Sequence, residues 1–385
     1  MKILYDDNMP LAAECFAQLG DAEAFAADNL EPEMLNDVDA LLVRSTTTVD
    51  AQLLKYAKRL KWVATATAGF NHLDIEYLTQ ANIPWYSAAG CNAIAVAEYV
   101  VSCLFVHAEK NGADLAWLRT LTVGIVGAGH VGSALATKLD ALQINYILCD
   151  PPLQLTQDPR SFVTLEEIKL CDVICLHVPF IKEGKHPTEK LIDKTFLSAL
   201  KPSQLLINAC RGGVLDEQAL LQLVSQQTGP KFMLDAWENE PHINYALIGH
   251  TEIATPHIAG HSVEGKSRGT LMVYDWLCQQ LEVPSTLLLA ELLPQLTPLE
   301  LSMADLDDRI IQRLIFSLYD SREDDRNFRA AMAQSHAQQG QFQRLRKHYW
   351  QRREFSALPL RIVTDTPHHP VVSTLSALGF AIQLI

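Results

Sequence analysis

The chain has 385 residues, 48% hydrophobic and 20% charged, enough for two or three globular domains with substantial cores. A net charge of -14 repels nucleic acid and anionic membrane surfaces, so small molecules are the expected partners. The eight cysteines form no CxxC pair and mostly lie in apolar runs, the pattern of small core residues in a reducing, cytoplasmic compartment, and no ligand cluster suggests a metal.

The N-terminus, MKILYDDNMP, lacks the basic start and apolar core of a signal peptide and reads as a first strand. Apolar segments at 3–5, 40–43, 62–66 and 83–86 alternate with helical stretches and predict a small α/β unit. The longest apolar run, 93–108, contains Glu98 and His107 and is too short for a bilayer, so a buried bridging helix is expected.

Residues 121–132, LTVGIVGAGHVG, then read as strand, tight turn and helix. In such a turn Gly127 allows the sharp bend, Gly129 lets a pyrophosphate approach, and Gly132 lets helix and strand pack closely. From Ser133 onward the chain reads as a helix, whose positive end suits a phosphate. A second strand ends in Asp150, eighteen residues after Gly132, where a carboxylate accepts hydrogen bonds from the adenosine ribose and repels a 2′-phosphate. NAD is therefore expected rather than NADP.

Strands return at 173–178, 204–209, 231–234 and 252–254, giving a nucleotide domain over 97–256. The helix at 263–280 has no strand after it and is expected to cross back, so that 1–96 and 257–283 form one discontinuous domain. Pro284, Pro294 and Pro298 punctuate a linker, and helices at 306–332 and 341–355 lead to strand 360–364, helix 371–378 and strand 380–385. Residues 284–385 thus read as a separate α+β domain.

Three polar groups fall where nucleotide-domain strands should end, the edge at which open α/β sheets bind ligands. Arg211, in INACRGGVLDE, can clamp a carboxylate through two parallel hydrogen bonds, or can simply pair with Asp216 or Glu217 at the surface. His257, in TPHIAG, has the unperturbed pKa that suits proton removal from an alcohol near neutrality, although it is one of thirteen histidines. Glu240, in LDAWENEP, could orient that imidazole.

Behind GIVGAGHVG, the motifs INACRGGVLDE, LDAWENEP and TPHIAG resemble, in order, the D-isomer-specific 2-hydroxyacid dehydrogenases. The resemblance implies a Rossmann-type doubly wound NAD domain, a smaller discontinuous flavodoxin-like substrate domain, and catalytic roles for Arg211, Glu240 and His257. It also implies cofactor contacts at the glycine turn (Gly127, Gly129, His130, Val131, Gly132), Asp150, Val178 (where threonine is usual), Ala209, Cys210, Arg211, Asp235 and Gly260. Cys210 is expected to be a bystander rather than a nucleophile.

A narrower resemblance rests on VRSTT, TATAGFNHLD, AAGCNAIAVAEYV, CDPP, HIAGHSVEGKSRGT and the C-terminal SLYDSREDDRNFR and LRKHYWQRREFSAL. It points to the branch of the family that oxidises a phosphorylated four-carbon sugar acid in bacterial pyridoxal 5′-phosphate biosynthesis and carries a C-terminal dimerisation domain. That match implies substrate contacts at Ser45, Thr67 and His261, the last replacing a usual tyrosine. The phosphate needs a cation, for which Arg44 is one candidate. The other is the basic stripe Arg344, Arg346, Lys347, Arg352 and Arg353, usually a solvated face, from which Arg352 or Arg353 is expected to reach the partner subunit of a homodimer. The alternatives are a dehydrogenase of phosphoglycerate or glycerate, or an NAD-sensing regulatory protein.

Overall fold

The computed structural model describes residues 1–333, 338–363 and 369–385, with residue 339 described by its backbone alone. The chain divides into two units, 1–92 with 262–294, and 93–261 with 295–385. Each unit is made of two separate stretches of chain.

In the first unit the strands are β1 (Lys2–Asp6), β2 (Asp21–Phe25), β3 (Ala40–Val43), β4 (Trp62–Thr65) and β5 (Trp85–Ser87), all parallel in the order β2-β1-β3-β4-β5. That is the flavodoxin-like order. Strand β3, ALLV, is buried throughout, as a parallel strand covered on both faces must be. The helix Val263–Gln280 does cross back to this sheet, and its first turn is capped by the Ser262 hydroxyl, which accepts the Gly265 N–H at 2.8 Å. Gly269 lets it approach closely, since a Cβ there would lie 2.5 Å from the Ala66 carbonyl oxygen. Asp6 ends β1, while Arg44 and Ala66 directly follow β3 and β4, so all three share the carboxyl edge of the sheet.

The second unit holds β6 (Thr122–Val126), β7 (Asn145–Cys149), β8 (Val173–Leu176), β9 (Leu205–Asn208), β10 (Lys231–Leu234) and β11 (Ile253–Ala254). They are parallel in the order β11-β10-β9-β8-β6-β7, so the winding reverses beside β6, where the glycine turn begins. The helix Ala93–Lys110 is almost wholly buried against this sheet and the helix His130–Leu142. Among the described residues no helix is long and apolar enough to cross a membrane, and all eight cysteines are buried.

Three further parallel strands, β12 (Leu299–Ser302), β13 (Pro359–Val363) and β14 (Ala381–Leu384), form their own sheet. Thr364, expected within β13, lies outside the described residues. The sequence reading sets 284–385 apart as a third domain, whereas in the structure 295–385 share a core with the nucleotide sheet: Leu301, Leu360 and Ile362 belong to the same apolar cluster as Val123, Ile125 and Cys175. The helix Ser321–Met332 packs against the edge strand β11, and its Asp325 accepts the Ala254 N–H at 2.7 Å, which satisfies a donor the sheet leaves open. Lys138 pairs with buried Glu98 at 3.1 Å and also donates to the Leu378 carbonyl.

Arg352 is fully buried, with its guanidinium carbon 3.6 Å from the Tyr319 ring centroid. Its Nη1 donates to the Ala259 carbonyl at 3.0 Å and its Nη2 to the Ala95 carbonyl at 2.7 Å. This corrects the expectation that Arg352 reaches a partner's substrate: a side chain enclosed here and committed to two carbonyls is a strut that ties the C-terminal segment to the His257 loop and to the helix Ala93–Lys110. Replacing it with leucine leaves both carbonyls unmatched and removes the cation from the aromatic face, so Arg352→Leu should destabilise the protein by about 2 kcal/mol or more in denaturant unfolding.

Candidate active site

The dinucleotide turn has the geometry its glycines promise. Gly127 has φ +92°, and a Cβ there would fall 2.5 Å from the His177 carbonyl oxygen; one on Gly132 would fall 2.1 Å from the Gly127 carbonyl oxygen. A Cβ on Gly129 would meet nothing within 4 Å, so the middle of the turn is open to an approaching group. His130 and Val131 begin the helix His130–Leu142. Asp150 directly follows β7, one oxygen taking the Ala128 N–H at 2.8 Å and the other the Leu153 N–H at 3.0 Å. Carboxylate oxygens accept more than one bond each, so Asp150 braces the turn and keeps capacity for ribose hydroxyls. These residues fit a dinucleotide. Arg160, which the sequence reading passed over, ties the same turn through the Ala128 carbonyl and the Ser133 hydroxyl at 3.0 and 2.8 Å.

Val178, Ala209, Cys210 and Asp235 all fall just past the carboxyl ends of their strands. Burial pushes the Cys210 thiol up to about 11, which suits a bystander rather than a nucleophile. Asp235 is fully enclosed. Its Oδ1 accepts the Ile258 N–H at 2.7 Å and the Thr255 hydroxyl at 2.7 Å, and its Oδ2 accepts the Ala259 N–H at 3.0 Å. With the chain held on both sides, His257 adopts a left-handed φ of +58°, uncommon outside glycine. Gly260 and His261 follow in the same loop.

Held this way, the His257 Nδ1 lies 2.7 Å from Glu240 Oε2 and 3.0 Å from Oε1. Glu240 is fixed in turn by the Trp237 N–H, which donates to Oε1 at 2.8 Å. Burial pushes the Glu240 carboxyl up, but His257, the Trp237 N–H and Arg346 together outweigh it and hold it below its ordinary value. Arg211 sits on the neighbouring turn, its Nη1 donating to the Cys210 carbonyl at 2.7 Å. Gly212 brings that turn against the Glu240 segment, because a Cβ there would lie 1.9 Å from the Trp237 carbonyl oxygen. Glu240 and His257 are thus hydrogen-bonded, and Arg211 adjoins them through its backbone.

Three further polar side chains lie near these residues, none of them singled out for the acid/base pair in the sequence. Glu217 accepts the Glu238 N–H at 2.6 Å, and burial pushes its carboxyl up to about 8. Arg346, passed over in favour of Arg352 and Arg353, places Nη1 4.0 Å from Glu240 Oε2. Tyr349 sets its ring edge-on to His261 at 5.6 Å. The signal for the last two is the basic C-terminal stripe; Glu217, which the sequence offers only as a surface partner of Arg211, is instead buried.

In the first unit, Arg44 is half-buried, and its Nη1 is enclosed without a hydrogen-bond partner. Burial lowers its pKa, and burial followed by the Arg44 charge lowers that of Lys266, on the helix Val263–Gln280. Ser45 is exposed, and the Thr67 hydroxyl donates to the Gly69 carbonyl at 2.8 Å. Arg353 is partly buried beside Arg352.

Residues 100–259 match the family model described as the NAD-binding domain of D-isomer-specific 2-hydroxyacid dehydrogenases, and 292–379 match a domain of unknown function. An erythronate-4-phosphate dehydrogenase of Pseudoalteromonas atlantica is 47% identical over 386 residues, covering 99% of both chains. The chain belongs to the erythronate-4-phosphate dehydrogenase family. The erythronate-4-phosphate dehydrogenase of Tolumonas auensis is 44% identical, over 94% of this chain and 95% of that one. The fold extends to more distant proteins: a 3-phosphoglycerate dehydrogenase of Entamoeba histolytica, solved with NAD+, matches with a TM-score of 0.61 at 22% identity over 73% of this chain and 95% of that chain. Membership of the erythronate-4-phosphate dehydrogenases thus takes in the C-terminal segment that carries Arg346 and Tyr349.

Glu217 gives the site a pH signature. The folded protein keeps its proton up to about pH 8, whereas an ordinary glutamate loses it above about 4.5. The stabilisation is complete below the lower value and lost as pH rises through the upper one. Glu217→Gln, which cannot ionise, should raise Tm over the parent by a few degrees more at about pH 9 than at about pH 5.

Proposed function

We propose that this protein is an NAD-dependent dehydrogenase that oxidises 4-phospho-D-erythronate at C2 to 2-oxo-3-hydroxy-4-phosphobutanoate, a step of pyridoxal 5′-phosphate biosynthesis in the cytoplasm. The observation that carries the chemistry is the hydrogen-bonded Glu240–His257 pair on a loop fixed by Asp235. The substrate is drawn from relatives of that name aligned over nearly the whole chain, including the C-terminal segment that a generic 2-hydroxyacid dehydrogenase lacks.

With Glu240 accepting Nδ1–H, the free lone pair of His257 is on Nε2, the atom that removes the C2 hydroxyl proton. Glu240 then stabilises the imidazolium that forms. NAD, when bound, supplies the acceptor for the hydride leaving C2. The Arg211 guanidinium, with donors beyond the one given to the Cys210 carbonyl, binds the substrate carboxylate and polarises the C2 oxygen. The glycine turn, Asp150, Val178, Ala209, Cys210, Asp235 and Gly260 are assigned to cofactor binding, and Ser45, Thr67 and His261 to substrate.

For the phosphate we assign Arg44 and add Lys266. Two half-buried cations, the Arg44 charge helping to lower the Lys266 pKa and the Arg44 Nη1 enclosed without an acceptor, suit a dianion that would answer both. Arg353 stays a secondary candidate. We further propose a homodimer through residues 284–385, supported by the exposed apolar side chains Leu299, Met303, Val363 and Leu384 on and beside the third sheet.

The test is NADH formation with 4-phospho-D-erythronate, D-glycerate and 3-phosphoglycerate in parallel, each with a 2-oxo acid present as hydride acceptor. Turnover of the erythronate phosphate alone, abolished in His257→Ala, is expected; turnover of the glycerates instead overturns the substrate. Arg44→Ala and Lys266→Ala should each raise KM for the phosphorylated substrate about tenfold or more, with far less effect on unphosphorylated D-erythronate.

A further inference from the structure

We propose that Arg346 is a positioning residue of the acid/base pair: its guanidinium shares the Glu240 carboxylate with His257 and keeps that carboxylate ionised through both protonation states of the imidazole. This gives the C-terminal segment, which matches a domain of unknown function, a part in the chemistry, and it rests on the dehydrogenase reading above.

Three groups meet the Glu240 carboxylate. Its Oε2 lies 2.7 Å from His257 Nδ1 and 4.0 Å from Arg346 Nη1, while Oε1 takes the Trp237 N–H. The other titratable groups facing the pair are acids: Glu217 from the helix Glu217–Ser225, which burial keeps protonated near neutrality, Glu238 from the same loop, and Asp235 from the end of β10. As a base His257 starts each oxidation neutral. At that moment burial drives a proton onto Glu240. A protonated Glu240 would donate to Nδ1 and move the ring proton to Nε2, the tautomer that cannot accept from substrate. Arg346 supplies a permanent charge against that outcome.

The contact is also unlike a casual surface pair. The Nε of Arg346 is enclosed without an acceptor, so the side chain is held at Glu240 although one of its donors goes unmatched there. The same segment touches the His257 loop twice more: Tyr349 packs its ring on His261, and Arg352 donates to the Ala259 carbonyl. Tyr349 is itself fixed by the hydrogen bond from its hydroxyl to Asp324 at 2.6 Å. The seven residues from Arg346 to Arg352 thus meet Glu240 once and the His257 loop twice.

The test compares full-length Arg346→Ala and Arg346→Lys with the parent. Loss of the cation raises the proton affinity of the pair, so in Arg346→Ala the acid limb of the kcat/KM profile for oxidation should move to higher pH by about half a unit to one unit. The partly exposed position of Arg346, 36% for its side chain, keeps the shift in that modest range. Arg346→Lys should return the limb to within about 0.2 units of the parent, and the Kd for NAD should not change in either variant. An Arg346→Ala profile that superimposes on the parent, whatever its kcat, overturns the proposal, as does a lysine variant shifted as far as alanine. Nitrogen-15 NMR titration of the His257 imidazole in the NAD-saturated protein, assigned through His257→Asn, reads the same shift without turnover. If no substrate is oxidised the dehydrogenase reading falls, while the titration still decides whether Arg346 acts on the pair.

Discussion

The buried carboxylate of Asp235 is the constraint on which the site depends. Its oxygens gather the N–H groups of Ile258 and Ala259 and the hydroxyl of Thr255, and Thr255 is tied in turn to Tyr99 on the helix Ala93–Lys110 at 2.9 Å. Burial raises the Asp235 pKa, so three donors are the least that such an enclosed charge needs. In meeting that need the chain around His257 is fixed on both sides, and the left-handed backbone of the histidine follows. A strained residue is stable only where its surroundings over-determine it, and here the surroundings reach into the centre of the unit.

The C-terminal segment adds a second support to the same loop from the other side. Arg352 takes the Ala259 carbonyl, Tyr349 packs on His261, and the helix Ser321–Met332 closes the open edge of β11, from which the loop departs. A sheet edge left bare would expose unpaired backbone groups next to the acid/base pair. The segment therefore contributes local order to the site as well as apolar surface to the core.

How much of this could be read in the sequence follows from how local each feature is. The glycine turn, the strand that begins it and Asp150 are written in about thirty consecutive residues, and each was legible because turn chemistry and hydrophobic period are short-range signals. Arg211, Glu240 and His257 could be picked out because they follow strands, the edge where an α/β sheet binds ligands. Lys266 was not legible as a site residue, and Arg346 only as one member of a basic stripe, not as a partner of Glu240. Their relevance lies in partners far away in sequence, Arg44 and Glu240, and no local pattern encodes such a pairing. Arg352 was misread for a related reason: a basic stripe is ordinarily solvated, and nothing in the string says that two carbonyls and a tyrosine ring wait for this guanidinium inside the fold.

The interleaving of the two units bears on how the molecule is made. The first unit needs residues 262–294 to finish its sheet cover, and the second needs 295–385 to finish its core, so neither is complete while the chain is still short. On the ribosome the helix Ala93–Lys110 emerges long before Leu301, Phe355 and Leu360, which share its apolar cluster. Part of the apolar face of that helix waits for those later residues, and contacts of such long sequence separation form slowly. The first unit has all its residues once 294 is made, whereas the second waits for 295–385, so its apolar cluster is the last to close.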